Sequence, residues 1–448
     1  MRIPPLLSRN LPRLRSGLWV LGCWLAAFGE LSLLTTSRNA CGPYWSPVAV
    51  FAAAVILCGC ALGYWLDRPM ALTEPRRAVG RIPWAGLLLL LGAVWVLLEL
   101  APLIRRTPVD LRYSDVITIL QTYVARFRSG EVVYRYLTNL PYPLFPNHLP
   151  LQWLPYVPAD ILGFDYRWWS MGLLVLLGFG GYQLVLARQP LSRLEFTLKS
   201  LLPAFVVVLL IQRNPDMYSF TCEPTIICYY CLLAAAVLSR SALLQGVGLV
   251  LCLLSRYSVV FWVPFFLWVL WREVGLRHAL LVAGITAVGV VGIYVVPFLS
   301  HDWTIFTHAL AEYKIATLGE WGHKDAVLQA PPQLFSGVGA AAWFYTYWPG
   351  DLPAKIEWLQ RTHVVLSAGT VGLVAVAYHR LRKRLDYRLI ALIGLKLYLT
   401  VFYTFLQIPY LYLTSLGLFI SLFVVMTVGF RRSTAVAVPA VSVPAVAA

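Results

Sequence analysis

Apolar runs of roughly 17–25 residues, the length a membrane-crossing helix needs, recur along the chain between shorter polar turns. They predict helices near 17–34, 47–66, 83–104, 168–187, 200–212, 225–239, 242–255, 258–271, 279–299, 361–378, 389–406 and 410–429. The runs are continuous rather than alternating, which disfavours a membrane β-barrel. The expectation is an all-α, polytopic membrane protein with about twelve transmembrane helices, eleven or thirteen if the short middle runs divide differently. Two interruptions, 105–167 and 300–360, are too long to be turns. Residues 1–429 then form a single transmembrane domain, and 430–448 an Ala/Val/Pro-rich tail in which Pro439 and Pro444 break any helix. That tail is expected to be disordered and cytoplasmic. Arg2, Arg9, Arg13 and Arg15 before the first run imitate a signal peptide, but no small-residue cleavage site follows, so an uncleaved first helix is expected.

The first long loop has its own pattern. In SDVITILQTYVARFRSGE, Val116, Ile119, Leu120, Tyr123 and Phe127 follow helical spacing, with Thr118, Gln121, Thr122 and Arg128 opposite. This predicts an amphipathic helix in the interface plane, with Ser114 as its N-cap and Gly130 as its stop. The stretch that follows, 140–158, carries six prolines, which hold it extended, and Tyr142, Phe145, Trp153 and Tyr156 suit a headgroup belt.

Composition agrees with the membrane class: of 448 residues, 59% are hydrophobic and 12% charged, half the about 25% of soluble domains. The net charge of +16 has the sign that nucleic acid attracts, but the basic residues cluster in the turns. The N-terminus, 67–81, 188–199, 272–278, 380–388 and Arg431–Arg432 alternate onto one side, most densely in HRLRKRLDYR. The positive-inside rule makes that side cytoplasmic and turns both long loops outward, so no nucleic-acid partner is expected. The eight cysteines show no metal spacing; six lie in or beside apolar runs, and Cys41 and Cys222 fall in outer loops where pairing stays open.

The candidate chemistry follows from this placement. Asp110 and Asp115 stand just beyond a membrane exit, with Arg112, Arg126 and Arg128 nearby and an aromatic, Pro-rich surface after them. A helix-start carboxylate explains Asp115 equally simply. An enzyme handling a lipid-linked phosphate would need these same parts: a carboxylate for a hydroxyl proton, cations for phosphate and an apolar surface for lipid. His148 reads as loop furniture or a site residue. Arg256, between two short helices, is a phosphate clamp or the partner of a loop acid. Lys396 is placed to snorkel, and Glu30 and Glu99 to pair structurally. In the second loop, His323-Lys324 in a Gly-containing turn could reach a sugar or phosphate, and no His/Asp spacing there resembles a metal site.

In order, a transmembrane helix, Tyr113-Ser114-Asp115, a helix ending at Ser129-Gly130-Glu131, Tyr134, and the stretch from Tyr142-Pro143 to Pro150 resemble the GT-C superfamily of membrane glycosyltransferases. Within it they are most similar to bacterial polyprenol-phosphate-mannose-dependent mannosyltransferases. Leu254-Ser255-Arg256-Tyr257 before Trp262-Val263-Pro264, and Ile408-Pro409-Tyr410-Leu411-Tyr412, add to the likeness. The resemblance implies an inverting transfer of a sugar from a polyprenyl-phosphate donor to a glycan or glycolipid acceptor. It would occur at the outer face of the plasma membrane, with Asp115 as general base and Asp110 in reserve. Arg256, Arg126, Arg128, His148, His323 and Lys324 are the candidates for binding donor phosphate or substrate. The acidic pair is not DxD, so neither metal nor other cofactor is expected. A transporter or flippase would instead place ionisable groups and broken helices at mid-membrane. An O-antigen-ligase-like or polymerase-like enzyme would rely on Arg and His of the later loop.

Overall fold

The computed structural model describes residues 5–67, 81–140, 142, 144–326 and 329–430, with side chains from Arg15 onward. Most of the basic turn 67–81, Arg431–Arg432, Pro141, Pro143 and the low-complexity tail from 431 lie outside the described residues. The described chain is helical, with one isolated antiparallel bridge between Leu137 and Leu144. Its principal helices are α1 (Pro5–Thr35), α2 (Arg38–Asp67), α3 (Ile82–Arg106), α4 (Val116–Arg128), α5 (Tyr166–Ala187), α6 (Arg193–Arg213) and α7 (Glu223–Leu238). Then come α8 (Ala242–Leu253), α9 (Trp262–Glu273), α10 (Leu276–Leu299), α11 (Ile305–Gly322), α12 (Leu352–Leu381), α13 (Tyr387–Thr404) and α14 (Leu411–Thr427). Among the described residues eight helices are long and apolar enough to cross a bilayer: α1 from Arg15, α2, α3, α5, α6, α10, α12 and α13. Helices α7, α8, α9 and α14 have only 16, 12, 12 and 17 residues.

Two of the short helices, α7 and α14, occupy protected positions. Almost every residue of α7 and α14 is buried, and α13 beside them is 83% buried over its apolar window. The long helices α3, α10 and α12 bury only 28%, 22% and 17% of theirs. A helix enclosed by protein need not match the hydrocarbon thickness by itself, whereas one facing lipid must.

Ionic contacts lie inside this bundle. Glu30 Oε1 on α1 lies 2.8 Å from Lys396 Nζ on α13. Lys396 also donates to the Gly417 carbonyl at 3.1 Å, and Ser421 Oγ donates to Glu30 Oε2 at 2.6 Å. Lys396 therefore does not snorkel: a buried carboxylate holds it in place. Helix α6 begins at Arg193, seven residues before its apolar run, because Ser192 caps it and buried Lys199 pairs with Glu195 at 2.9 Å. The ion pair removes the polarity that makes this turn look like a loop.

Loop 105–167 packs tightly at one end of the bundle. Helix α4 buries Ile117, Ile119, Leu120, Tyr123 and Val124, while Phe127 stays 42% exposed, so its inner face is rotated slightly from the expected one. Gly130 (φ 72) stops it as expected, with Glu131 N–H donating to the Arg126 carbonyl at 2.8 Å. Asp115 takes the N-cap position; Ser114, one residue earlier, accepts weakly from the Val116 N–H at 3.3 Å. Helix α11 of the second loop lies across this segment, joined by Tyr136 Oη donating to Glu312 at 2.7 Å and by Phe145 against His308. Its far end is anchored in a small separate core of Trp321, Leu334, Ala341, Phe344, Ile356 and Leu359.

Candidate functional site

A cavity of about 800 Å³ opens where the two long loops meet the helix ends. Tyr113 to Val116 and Ile119 form one wall, continued by Tyr142, Asn147 and His148. Asn214, Asp216, Phe220 and Thr221, between α6 and α7, lie beside them, with Leu34 near the end of α1 and Arg38 at the start of α2. Helix α11 covers the space with Glu312, Tyr313, Ala316, Gly319 and Glu320, and Ile408, Tyr410, Leu411 and Tyr412 complete it.

Local contacts fix these groups. Ser114 Oγ donates to the Phe220 carbonyl at 3.1 Å, and Tyr113 stacks on Phe220 with ring centres 5.8 Å apart, so the turn before Asp115 is tied to the α6–α7 connection. The Tyr142 hydroxyl donates to Asp115 Oδ2, and no hydrogen bond from a described residue engages Oδ1. Burial and this hydrogen bond raise the Tyr142 phenol above its ordinary range, so it stays a donor. Burial, reinforced by the charge of Arg256, lowers the His148 imidazole to about 4; it is neutral at pH 7, with Nδ1 3.2 Å from Tyr123 Oη. Tyr410 and Tyr412 stack with centres 5.4 Å apart and an interplanar angle of 13°, and Tyr410 donates to Glu320 at 3.3 Å. Their turn is reached by loop 337–340 passing over Pro409. A Cβ on Gly337 would lie 2.1 Å from the Pro409 carbonyl oxygen, so only glycine fits. Asp115, Asp216, Glu312 and Glu320 line the cavity against one guanidinium, Arg38. Carboxylates and stacked aromatic faces suit a polyhydroxylated ligand, whose hydroxyls donate and whose C–H faces pack on rings.

No family model, curated protein or solved structure matches the chain.

The structure brings together Asp115 and His148 and separates the other sequence candidates from this cavity. Asp110 accepts from Arg112 Nε at 2.9 Å and from the Arg112 backbone at 2.9 Å, bonds that hold its carboxyl below the usual range; it does not line the cavity. Arg126 is buried and donates to the carbonyls of Val133, Arg135 and Tyr136 at 3.2, 2.6 and 2.8 Å. Arg128 pairs with Asp160. Arg256 is held by Glu223 through two contacts of 2.6 Å, so the acid partner, here on α7, takes the guanidinium that a phosphate clamp would need. His323 and Lys324 are exposed and do not line the cavity. Cys41 and Cys222 are both free thiols. Among the described residues no three His, Cys, Asp or Glu side chains converge as a metal-ligand group.

Sequence reasoning missed Arg38, Asp216, Glu312 and Glu320 as members of one site. Glu312, Ala316 and Glu320 recur every fourth residue, a stripe that marks one face of a helix and was available as a signal. Arg38 and Asp216 carried no comparable pattern. A second, apolar groove of about 640 Å³ lies between α8 and α10, lined by Val247, Val250, Leu281, Ile285 and Ile293, with Leu151 only three residues beyond His148.

Proposed function

We propose that the chain is an integral-membrane glycosyltransferase. It transfers a sugar from a polyprenyl-phosphate donor to a glycan or glycolipid acceptor on the non-cytoplasmic face of the plasma membrane, through a bundle of about twelve transmembrane helices. The observation that carries this reading is Asp115. Of the two aspartates beyond α3, it alone lines a cavity of about 800 Å³, within the ~300–1,000 Å³ of small-molecule sites.

In this reaction an acceptor hydroxyl attacks the anomeric carbon of the donor sugar. Asp115 Oδ1 accepts the hydroxyl proton as the new C–O bond forms, and the bond from the anomeric carbon to the phosphate oxygen breaks. Polyprenyl phosphate leaves with the electron pair, and the sugar configuration inverts. Tyr142, holding Oδ2, keeps the carboxylate aimed. An ionised aspartate is a weak base, so proton transfer accompanies late C–O bond formation. The groove between α8 and α10 is apolar enough for the isoprenoid chain.

The test is transfer from a radiolabelled polyprenyl-phosphate sugar by purified protein in proteoliposomes. Asp115→Asn is expected to abolish turnover while donor binding persists, and Asp110→Asn to retain turnover. Full activity of Asp115→Asn removes it as the base. Movement of the lipid across the vesicle without transfer replaces this reading with a transporter.

A further inference from the structure

We propose that Arg38 is the phosphate-binding residue of this cavity, taking a prenyl-linked phosphate ester and the charge that develops on it as it departs. The proposal rests on the function proposed above and names a group in the same site.

The argument begins with charge. A polyprenyl-phosphate sugar enters with about one negative charge on its phosphodiester, and the product monoester carries about −1.5 to −2. The cavity that must hold it has four carboxylates. An anion is admitted there only if a cation faces it. Each guanidinium of the first long loop and of the α8–α9 turn considered for that task is already engaged: Arg126 by three carbonyls, Arg128 by Asp160 and Arg256 by Glu223. Drawing Arg256 away would leave buried Glu223 unpaired, and drawing Arg126 away would unmake the turn after α4.

Arg38 differs from them. It is the sole Lys or Arg lining the cavity among the described residues, it is half-buried, and its side chain makes no hydrogen bond or ion pair with a described residue. Its backbone, by contrast, is fixed. Ser46 Oγ donates to the carbonyls of Arg38 and Gly42 at 3.0 and 2.7 Å, and Gly42 (φ 70) turns the chain sharply between this first turn and the membrane-crossing part of α2. A held backbone with a free fork of five N–H donors suits a ligand that supplies the missing acceptors, and planar, bidentate recognition of phosphate is what arginine does better than lysine. Because the phosphate gains charge as the anomeric bond breaks, the contact strengthens along the reaction. Arg38 therefore contributes to kcat as well as to donor affinity.

The experiment uses the full chain in phosphatidylcholine nanodiscs, with farnesyl phosphate, farnesol and inorganic phosphate as probes. Arg38→Gln is expected to weaken farnesyl phosphate binding by at least about tenfold, the loss of a charge-assisted contact, while farnesol binding stays unchanged and reports an intact fold. Arg38→Lys should recover part of that loss, and both variants should lower kcat for sugar transfer. Equal farnesyl phosphate affinity in wild type and Arg38→Gln overturns the proposal, as does tighter binding of inorganic phosphate than of the prenyl ester. Arg38-dependent farnesyl phosphate binding without sugar transfer upholds the phosphate site and overturns the transferase reading instead.

Discussion

Replacing Glu30 by Gln keeps side-chain volume and leaves an acceptor for Ser421, but removes the negative charge 2.8 Å from Lys396. Both side chains are sealed from solvent, at 2% and 1% exposure. At an effective dielectric near 20 the attraction at this separation is about 6 kcal/mol, much of it cancelled by desolvation of the two ions. Removing one partner exposes that desolvation, at ~3–5 kcal/mol for a buried pair. The Gly417 carbonyl, 3.1 Å from Lys396 Nζ, still accepts one bond and draws the expected loss toward the lower figure, about 3 kcal/mol. Glu30→Gln, Lys396→Met and the double variant complete a thermodynamic cycle, read by equilibrium unfolding in mixed detergent–SDS micelles with helicity as the signal. The double variant should recover most of the loss, because Met leaves no buried charge. Additive single losses, with a coupling energy below ~0.5 kcal/mol, would refute the reasoning and mean that the pair is neutralised or hydrated in the bundle.

Three further outcomes are expected. Since the folded-state pKa of His148 lies near 4 and the unfolded value near 6.5, the neutral ring favours the folded state above pH 6.5, and this contribution is lost as pH falls from 6.5 through 4. His148→Gln should flatten the acid limb of a stability–pH profile by up to about 3 kcal/mol, less where cavity water solvates the ring; an unchanged limb contradicts the assignment. Arg126→Gln strips three carbonyls of their donor and should cost ~2–3 kcal/mol, with faster proteolysis confined to 129–140. Gly337→Ala must push the Pro409 turn aside, which should cost ~1–3 kcal/mol and, under the proposed transfer, raise the KM for the donor, because Tyr410 and Tyr412 move with it.

All twelve apolar runs became helices, because a long apolar segment leaves the backbone no other way to satisfy its hydrogen bonds in lipid. Asp115 was legible for a related reason: its position after α3 and before an amphipathic run is a local pattern. The destinations of the arginines were not. Arg126 meets carbonyls 7–10 residues on, in irregular chain whose course after Gly130 no periodicity describes. Arg256 meets a carboxylate 33 residues away on another helix. Arg38 sits in what reads as a plain connection between two spans, and it becomes interesting only once α11 and the α13–α14 turn close over the same space. Ion-pair choice is a property of the assembled bundle, and a guanidinium on a long side chain keeps several partners open until packing removes them.

The brevity of α8, α9 and α14 has a consequence. At 1.5 Å per residue, α8 and α9 rise about 18 Å and α14 about 26 Å, against roughly 30 Å of hydrocarbon, while α10 and α12 have 24 and 30 residues. Helix α14, shorter than the hydrocarbon thickness, starts at the cavity itself, whose lining includes Leu411 and Ser415 of its first turns. Should the donor proposed above enter there, its headgroup would meet tyrosines and carboxylates while its chain stays among the lipids.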